Sequence, residues 1–522
     1  MSAAFPFRPL AQGAIALAVL SISGAQAAEW KITPRIEARE AFTDNARLSR
    51  GSKTSDFVTR IAPGIDLKAQ GGRVLADIDY ELAYDAYARA DDLNGFRHNL
   101  RGTGRVEFVE DRLFLDLGAF AGESPVLARG RASAIDRSLG GASSQFTSYS
   151  VSPYWRTRFG PWAEAEARYR FSQVAVTRDR GNIDAAPAPA LLSDTDIHQA
   201  SGFVAGGENF NRLRWRLAAD HAETRVSNGG GATPGTGGSA TSLRRQSASA
   251  QPSYVVTRWL SLLGTLGYDH IESSGFRKDL DGSFWNGGVR LTPSQRTSFE
   301  LTYGERYGGP NWASSLTAAT EAGTALTLAY RETVENQALQ SASGFSFLTR
   351  DPSGALIDTR TGLPFVGRDP FFDQSDRTFL SRGLTLSLRM PMQRDTVTVS
   401  AQHVLRETEF GGVVAAPGRD DTTDAILLGW QRRLSEVISG NAQLSYSNTR
   451  TDPNGAGGAT QKGTSKTLGM RVGVDHDLNE TLRGGIGLAH LRRDVSGPQI
   501  SPGEITGAYS ETVLFVTLRK TF

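Results

Sequence analysis

The sequence predicts an all-β fold, a transmembrane antiparallel up-and-down β-barrel of about 22 strands within a range of about 16 to 22, with short periplasmic turns and long extracellular loops. Three observations carry that expectation. Apolar residues recur with period two over runs long enough to cross a membrane, the connections alternate between short and long, and the chain ends on an aromatic residue of an alternating strand.

At the N-terminus, Arg8 precedes a mostly apolar stretch from Ala14 to Ile22 that ends in the small-residue sequence Ala25-Gln26-Ala27. This reads as an export signal at 1–27, cleaved after Ala27, with the barrel occupying 28–522. The apolar core is too short for a transmembrane helix, which needs about 20 such residues. Elsewhere the sequence contains no apolar run of that length, so an exported chain has no helix to hold it in the inner membrane.

The first mature segment sets the period. Trp30, Ile32, Pro34, Ile36, Ala38 and Phe42 fall on one face, opposite Lys31, Thr33, Arg35, Glu37 and Arg39. The pattern returns at Phe57 to Leu67 and at Val74 to Tyr84, the latter opposite Asp77, Asp79, Glu81 and Asp85. Strong runs follow at 97–108, 112–120, 147–158, 162–173, 213–223, 260–270, 297–306, 396–404, 436–446, 466–476, 481–491 and 511–522. Weaker ones lie near 196–207, 245–254, 284–293, 311–318, 325–332, 378–388 and 423–431. Many exceed the usual globular strand of about 5 to 6 residues and match the 9 to 11 or so of a tilted membrane strand. An even count puts both chain ends on one side.

Short turns such as Gln70-Gly71-Gly72, Glu110-Asp111, Phe159-Gly160-Pro161, Ser294-Gln295 and Asp477-Leu478-Asn479 alternate with long polar segments near 121–146, 174–195, 225–243, 333–377, 405–422, 447–465 and 492–508. The glycine-rich tracts Gly229 to Gly238 and Asn454 to Gly458 fall in the long group and read as linkers, without the Gly-Lys-Ser/Thr ending of a phosphate loop. Pro63, Pro153, Pro252, Pro293 and Pro391 each lie toward the expected periplasmic end of a strand. At the C-terminus Leu514, Val516, Leu518 and Phe522 share a face, and a terminal Phe resembles the recognition end of outer-membrane barrels. Lys520 departs from the apolar or aromatic residue common two before that end.

Composition agrees and excludes alternatives. The chain has 522 residues, 39% apolar and 21% charged, with mean hydropathy −0.32. A barrel that alternates lipid-facing and lumen-facing residues keeps such a polar average. The net charge of +2, from 57 basic and 55 acidic residues, supplies no field for nucleic acid, and zero cysteines exclude disulfides, thiolate metal sites and an N-terminal lipid anchor. The expected location is the Gram-negative outer membrane, with its lipid as one partner.

No enzyme chemistry is legible. His98, His198, His221, His270, His403, His476 and His490 form no HExxH or comparable ligand spacing and read as interfacial or loop residues. Acid pairs such as Asp77 with Asp79 or Asp420 with Asp421 lack an oriented partner, no Gly-x-Ser-x-Gly elbow is present, and no cofactor or metal is expected.

The inward faces say more. Arg97, Arg101 and Arg105 share a face opposite Leu100, Val106 and Phe108, and the strand before presents Asp77, Asp79, Glu81 and Asp85. Adjacent strands would bring these charges into a cross-strand ladder. Arg156, Arg158, Arg168, Arg170, Arg214 and Arg216 continue the basic row. The row admits two readings, a self-neutralising lumen network or a path for anionic, hydroxyl-rich polymers whose carboxylates suit guanidinium forks.

Trp30, Pro34, Phe42-Thr43-Asp44-Asn45, Ser55-Asp56-Phe57-Val58-Thr59 and Pro63-Gly64 resemble, in order and spacing, the start of the PEP-CTERM-system-associated outer-membrane proteins, which are related to barrel porins of exopolysaccharide loci. The words cover about the first two strands. The resemblance implies a barrel linked to envelope polysaccharide or protein sorting, with exopolysaccharide and periplasmic export components as partners, and transfers no catalytic residue. Asp44 and Asn45 read locally as a tight turn. The expected function is a porin-like channel assisting exopolysaccharide export or envelope polysaccharide assembly, and the alternative is a structural or adhesive barrel acting through its outer loops. A TonB-dependent receptor would share the strand number, but the first strand begins beside the expected cleavage site and leaves no stretch for a plug.

Overall fold

A computed structural model describes residues 28–125, 134, 143–178, 194–228, 242–273, 280–336, 339, 348–350, 356–358, 363–364, 378–410, 413–414, 419–453, 462–497 and 507–522. The expected export signal at 1–27 and the two glycine-rich tracts lie outside the described residues, and the segment 333–377 is described only in part.

The barrel strands are β1 (Glu29–Thr43), β2 (Asp56–Gln70), β3 (Val74–Tyr87), β4 (Gly95–Val109), β5 (Leu113–Pro125), β6 (Ser143–Phe159), β7 (Ala163–Arg178) and β8 (Asp194–Gly206). Next come β9 (Leu213–Asn228), β10 (Leu243–Thr257), β11 (Leu260–Ser273), β12 (Leu280–Ser294), β13 (Thr297–Arg306), β14 (Gly309–Ala319) and β15 (Ala325–Asn336). The ring is completed by β16 (Thr378–Pro391), β17 (Asp395–Glu407), β18 (Arg419–Arg433), β19 (Ile438–Pro453), β20 (Gly463–Asp477), β21 (Leu482–Ser496) and β22 (Gly507–Thr521). Each strand pairs antiparallel with the next, and β1 pairs with β22 from Arg35↔Thr521 to Thr43↔Val513, closing a 22-stranded sheet. Closure satisfies a sheet's edges without water, which the hydrocarbon layer requires. Short strands at Leu348–Arg350, Leu356–Asp358 and Leu363–Pro364, and at Glu409–Phe410 and Val413–Val414, form two small sheets among the outer connections.

All 22 expected runs are strands, and most extend beyond their expected bounds, usually at the outer end. The run expected at 213–223 continues to Asn228, and that at 436–446 to Pro453. Outward residues there turn polar, as at Glu223, Arg225, Asn448 and Arg450, so the apolar period fades while backbone pairing continues. The start of β1, the end of β22 and the described turns of two to six residues, apart from Tyr307-Gly308 between β13 and β14, lie at one end of the barrel.

The outward face carries Ile32, Ile36, Ile61, Leu217, Leu266, Leu428, Val472, Ile486, Leu488 and Val516, all exposed. Toward the short turns this band is edged by Phe108, Trp155, Phe159, Trp162, Tyr254, Trp259 and Trp430, and toward the long loops by Phe57, Phe96, Tyr169, Tyr268, Trp285, Tyr303 and Trp312. Two aromatic girdles bounding an apolar band on a closed sheet are the architecture of the Gram-negative outer membrane. The protein is an outer-membrane β-barrel, with its short turns periplasmic.

All seven histidines lie on the outward face by strand alternation. His98, His198, His221, His270, His403 and His490 sit toward the outer strand ends and His476 near a periplasmic end. Tyr80 and Tyr169 hydroxyls meet His98 and His198 at 2.9 and 2.8 Å, and Asp424 meets His403 at 2.7 Å, a polar belt at headgroup depth. Among the described residues no group of three or more metal-ligating side chains converges.

The register places Leu100, Leu115 and Leu117 outward and Arg101, Arg105 and Asp116 inward. Val106 shares the outward face but is buried with Ala69 and Val74, against Trp30 and Leu115. Cysteines at Leu100, Leu115 and Leu117 are therefore expected to react with a lipid-phase thiol probe, those at Arg101 and Asp116 with an aqueous one, and Val106→Cys with neither. Aqueous labelling of all three leucine positions would mean a one-residue slip, which exchanges the faces.

Candidate functional site in the barrel lumen

Even-numbered positions of β2 and odd-numbered positions of β1, β3 and β4 face the lumen, and their charges meet across three strands. Arg35 on β1 is nearly buried and lies 2.8 Å from both Asp66 on β2 and Asp79 on β3, and 3.7 Å from Glu81. Gly64 stands directly opposite Arg35, and a Cβ there would come 3.0 Å from the guanidinium, so glycine lets the fork lie across β2 to reach β3. The Pro63-Gly64 word thus has a packing reason.

Asp85 is contacted by Arg60 at 2.7 Å and Arg97 at 2.6 Å, with all three side chains almost buried. Arg101 approaches Asp77 at 3.7 Å. Further round, Asp116 receives Arg105 at 2.7 Å and Arg168 at 2.9 Å, and Glu166 receives Arg156 at 2.8 Å and Arg168 at 3.3 Å. The Arg168 guanidinium also lies 3.8 Å from the Tyr154 ring centroid.

The nine arginines singled out from sequence therefore divide. Arg97, Arg101, Arg105, Arg156 and Arg168 are ion-paired in this network. Arg158, Arg170, Arg214 and Arg216 form no ion pair with a described residue, and Arg216 lies over the Phe203 ring at 3.7 Å. The acids Asp77, Asp79 and Glu81 all belong to the neutralised part. Sequence reasoning missed Arg35 and Arg60 as members of that part, although the alternation about Ile32, Ile36 and Ile61 already placed them on the polar face.

Arg158, Arg214 and Arg216 are exposed near the periplasmic ends of β6 and β9, and β6 to β9 register puts Arg158, Glu164, Ala205 and Arg216 on one level. Exposed Arg112, Arg212 and Arg258 lie in the turns at the same end, likewise without an ion pair to a described residue. This side of the inner mouth thus gathers six exposed arginines that form no ion pair with a described residue, although Glu164 stands opposite Arg158 in the ladder.

The Phe42-Thr43-Asp44-Asn45 word does structural work at the outer end. Buried Asn45 donates to the Ser49 and Ser510 carbonyls and accepts from the Ser49 N–H, while the Asp44 carboxylate accepts the Thr512 N–H at 2.7 Å. Thr43 donates to buried Glu511 at 2.8 Å, and Asp56 accepts the N–H groups of Arg89 and Ala90. These residues fasten the first outer loop across the β1–β22 closure and to the next loop. Beside them Arg47 pairs with Asp92 and holds its carboxyl below the usual range.

No family model matches the chain, and no curated protein matches it in sequence. Among solved structures, the ferric enterobactin receptor of Pseudomonas aeruginosa, in a mutant form, superposes with TM-score 0.49 at 12% identity, covering 94% of this chain and 80% of its own. The siderophore receptor PirA of Acinetobacter baumannii gives 0.48 at 10% identity over 94% and 80%. OccK2 of Pseudomonas aeruginosa, in complex with glucuronate, gives 0.35 at 13% identity over 94% and 98%. At such identity and superposition the likeness extends to no residue-level correspondence.

Proposed function

We propose that this barrel is a porin-like channel that assists an exopolysaccharide across the outer membrane. The observation carrying this reading is the group Arg158, Arg214 and Arg216, exposed on the lumen wall at the periplasmic mouth and without ion partners among the described residues. Fixed cations at a mouth raise the local concentration of a polyanion arriving from the periplasm, and guanidinium forks bond its carboxylates in pairs. The resemblance of the first two strands to barrels of exopolysaccharide loci supports the same substrate class and suggests periplasmic export components as partners.

Charge reversal tests it. Replacing Arg214 and Arg216 with Glu, and Arg158 with Gln so that no new carboxylate faces Glu164 across the ladder, should leave the heat-modifiable barrel at normal membrane yield, because these side chains form no ion pair with a described residue. The inserted variant should shift toward cations in planar-bilayer reversal potentials and reduce secretion of an acidic polymer. Arg156 and Arg168 are unsuitable for this purpose, since reversal there sets new carboxylates against Glu166 and Asp116. An inserted variant that keeps both its selectivity and its secretion would favour the structural or adhesive barrel instead.

A further inference from the structure

Among the described residues the barrel wall dips at β13 and β14. β13 and β14, of 10 and 11 residues, are the shortest barrel strands and meet in a two-residue turn, Tyr307-Gly308, with φ of 57° and 75°. β14 pairs fully with β13, but its ladder to β15 runs only from Ala319↔Ala325 to Ser314↔Tyr330. Above that point β15 stays paired with β16 as far as Asn336↔Thr378, so the top of the β15–β16 hairpin leaves the wall as one unit.

That top reaches across the dip above β13–β14 to the lumen faces of β9, β10 and β11. Asn336 donates to the Thr224 hydroxyl at 3.0 Å, Arg245 donates to the Thr333 hydroxyl and the Val334 carbonyl at 3.2 and 3.1 Å, and the Ser273 and Thr378 hydroxyls meet at 3.0 Å. Val334 and Leu380 are buried in one apolar cluster with Val174, Ile197, Leu243 and Ile271. The exposed edge of β14 is capped meanwhile. Glu332 accepts the Trp312 N–H at 3.4 Å and the Asn311 amide at 3.2 Å, and it is nearly buried. Pro310, which has no N–H to leave unpaired, suits such an edge.

We infer that the outer end of the β15–β16 hairpin is a gate with two seats. In the inward seat, seen here, Asn336, Thr333 and Thr378 latch it onto β9–β11 and it overhangs the lumen. In the wall seat β15 continues its existing register along β14, bringing Glu332 opposite Trp312 and Thr333 opposite Asn311. A backbone pair gained there replaces the Glu332 carboxylate as partner of the Trp312 N–H on the β14 edge, while Asn336, Thr333 and Thr378 give up their bonds to β9–β11, so the two seats exchange one set of polar contacts for another. The gate regulates the pore of the channel reading, on which its conductance readout alone rests.

The chain has no cysteine, so engineered pairs report unambiguously. Thr224→Cys with Asn336→Cys should form a disulfide that locks the inward seat. Asn311→Cys with Thr333→Cys should form one on oxidation of the inserted barrel, and form it faster when Asn336→Ala removes a latch bond. In single-channel recordings the wall-locked pair should conduct several-fold more than the inward-locked pair, with that difference abolished by dithiothreitol. A disulfide that forms at 224–336 but never at 311–333, even with Asn336→Ala, overturns the gate. Formation at 311–333 in a barrel that conducts in neither locked form supports the gate and removes the channel reading. Equal conductance in two conducting locked forms overturns regulation of the pore by this hairpin.

Discussion

Replacing Arg35 with Ala is expected to cost the barrel about 3 kcal/mol of unfolding free energy, the lower end of the range for stripping one partner from a buried ion cluster. Arg35 is 7% exposed and is the guanidinium that joins Asp66, Asp79 and Glu81 across three strands. Asp66 and Asp79 stand directly opposite each other in the β2–β3 register, so without the cation two carboxylates confront one another. Their side chains are 35% and 32% exposed, and water reaching them is why the upper end of the range does not apply. Arg35→Lys should lose less, keeping the charge but not the fork that reaches both strands. The measurement is the midpoint of urea unfolding of the protein refolded into liposomes. An unchanged midpoint for Arg35→Ala would show that the cluster contributes nothing to stability.

The second large effect separates two neighbours in the chain. Leu428 faces outward, paired with Val399 and Leu444, while Leu427 faces the lumen between Ser400 and Ser445. Arg at position 428 should cost about 2 to 4 kcal/mol, the depth-dependent penalty for a cation on the lipid face near mid-membrane, and reduce the folded yield accordingly. Arg at position 427 enters a polar lumen and should fold at a yield close to that of the parent. Equal losses at both positions would remove the assignment of faces in this part of the wall, whereas a reversed order would mean that β18 is one residue out of register.

Both expectations draw on period two, which was legible in the chain because it is local. From Trp30 to Arg39 onward, alternation alone assigned each side chain a face, and even the weak runs at 311–318 and 378–388 are strands. The outer strand ends were less legible. Once a strand rises above the lipid its outward residues need not be apolar, and hydrogen bonding to neighbours continues unseen by hydropathy, as at Glu223 and Asn448.

The sequence by itself determined the barrel class, the inward row of arginines and their acids on β3, because these depend on alternation within about ten residues. Which charges pair depends on register and reach across strands, and only the tertiary structure decided it. Asp79 stands opposite Arg101 in the ladder yet is held by Arg35 two strands away, through the space that Gly64 leaves. The division between ion-paired Arg97, Arg101, Arg105, Arg156 and Arg168 and the four, Arg158, Arg170, Arg214 and Arg216, that form no ion pair with a described residue follows from the same non-local contacts. The inward hairpin is the extreme case. Thr224 and Asn336 are 112 residues apart and polar in unremarkable surroundings, and they meet because the wall between β14 and β15 stops pairing and leaves the strand free to find partners across the mouth.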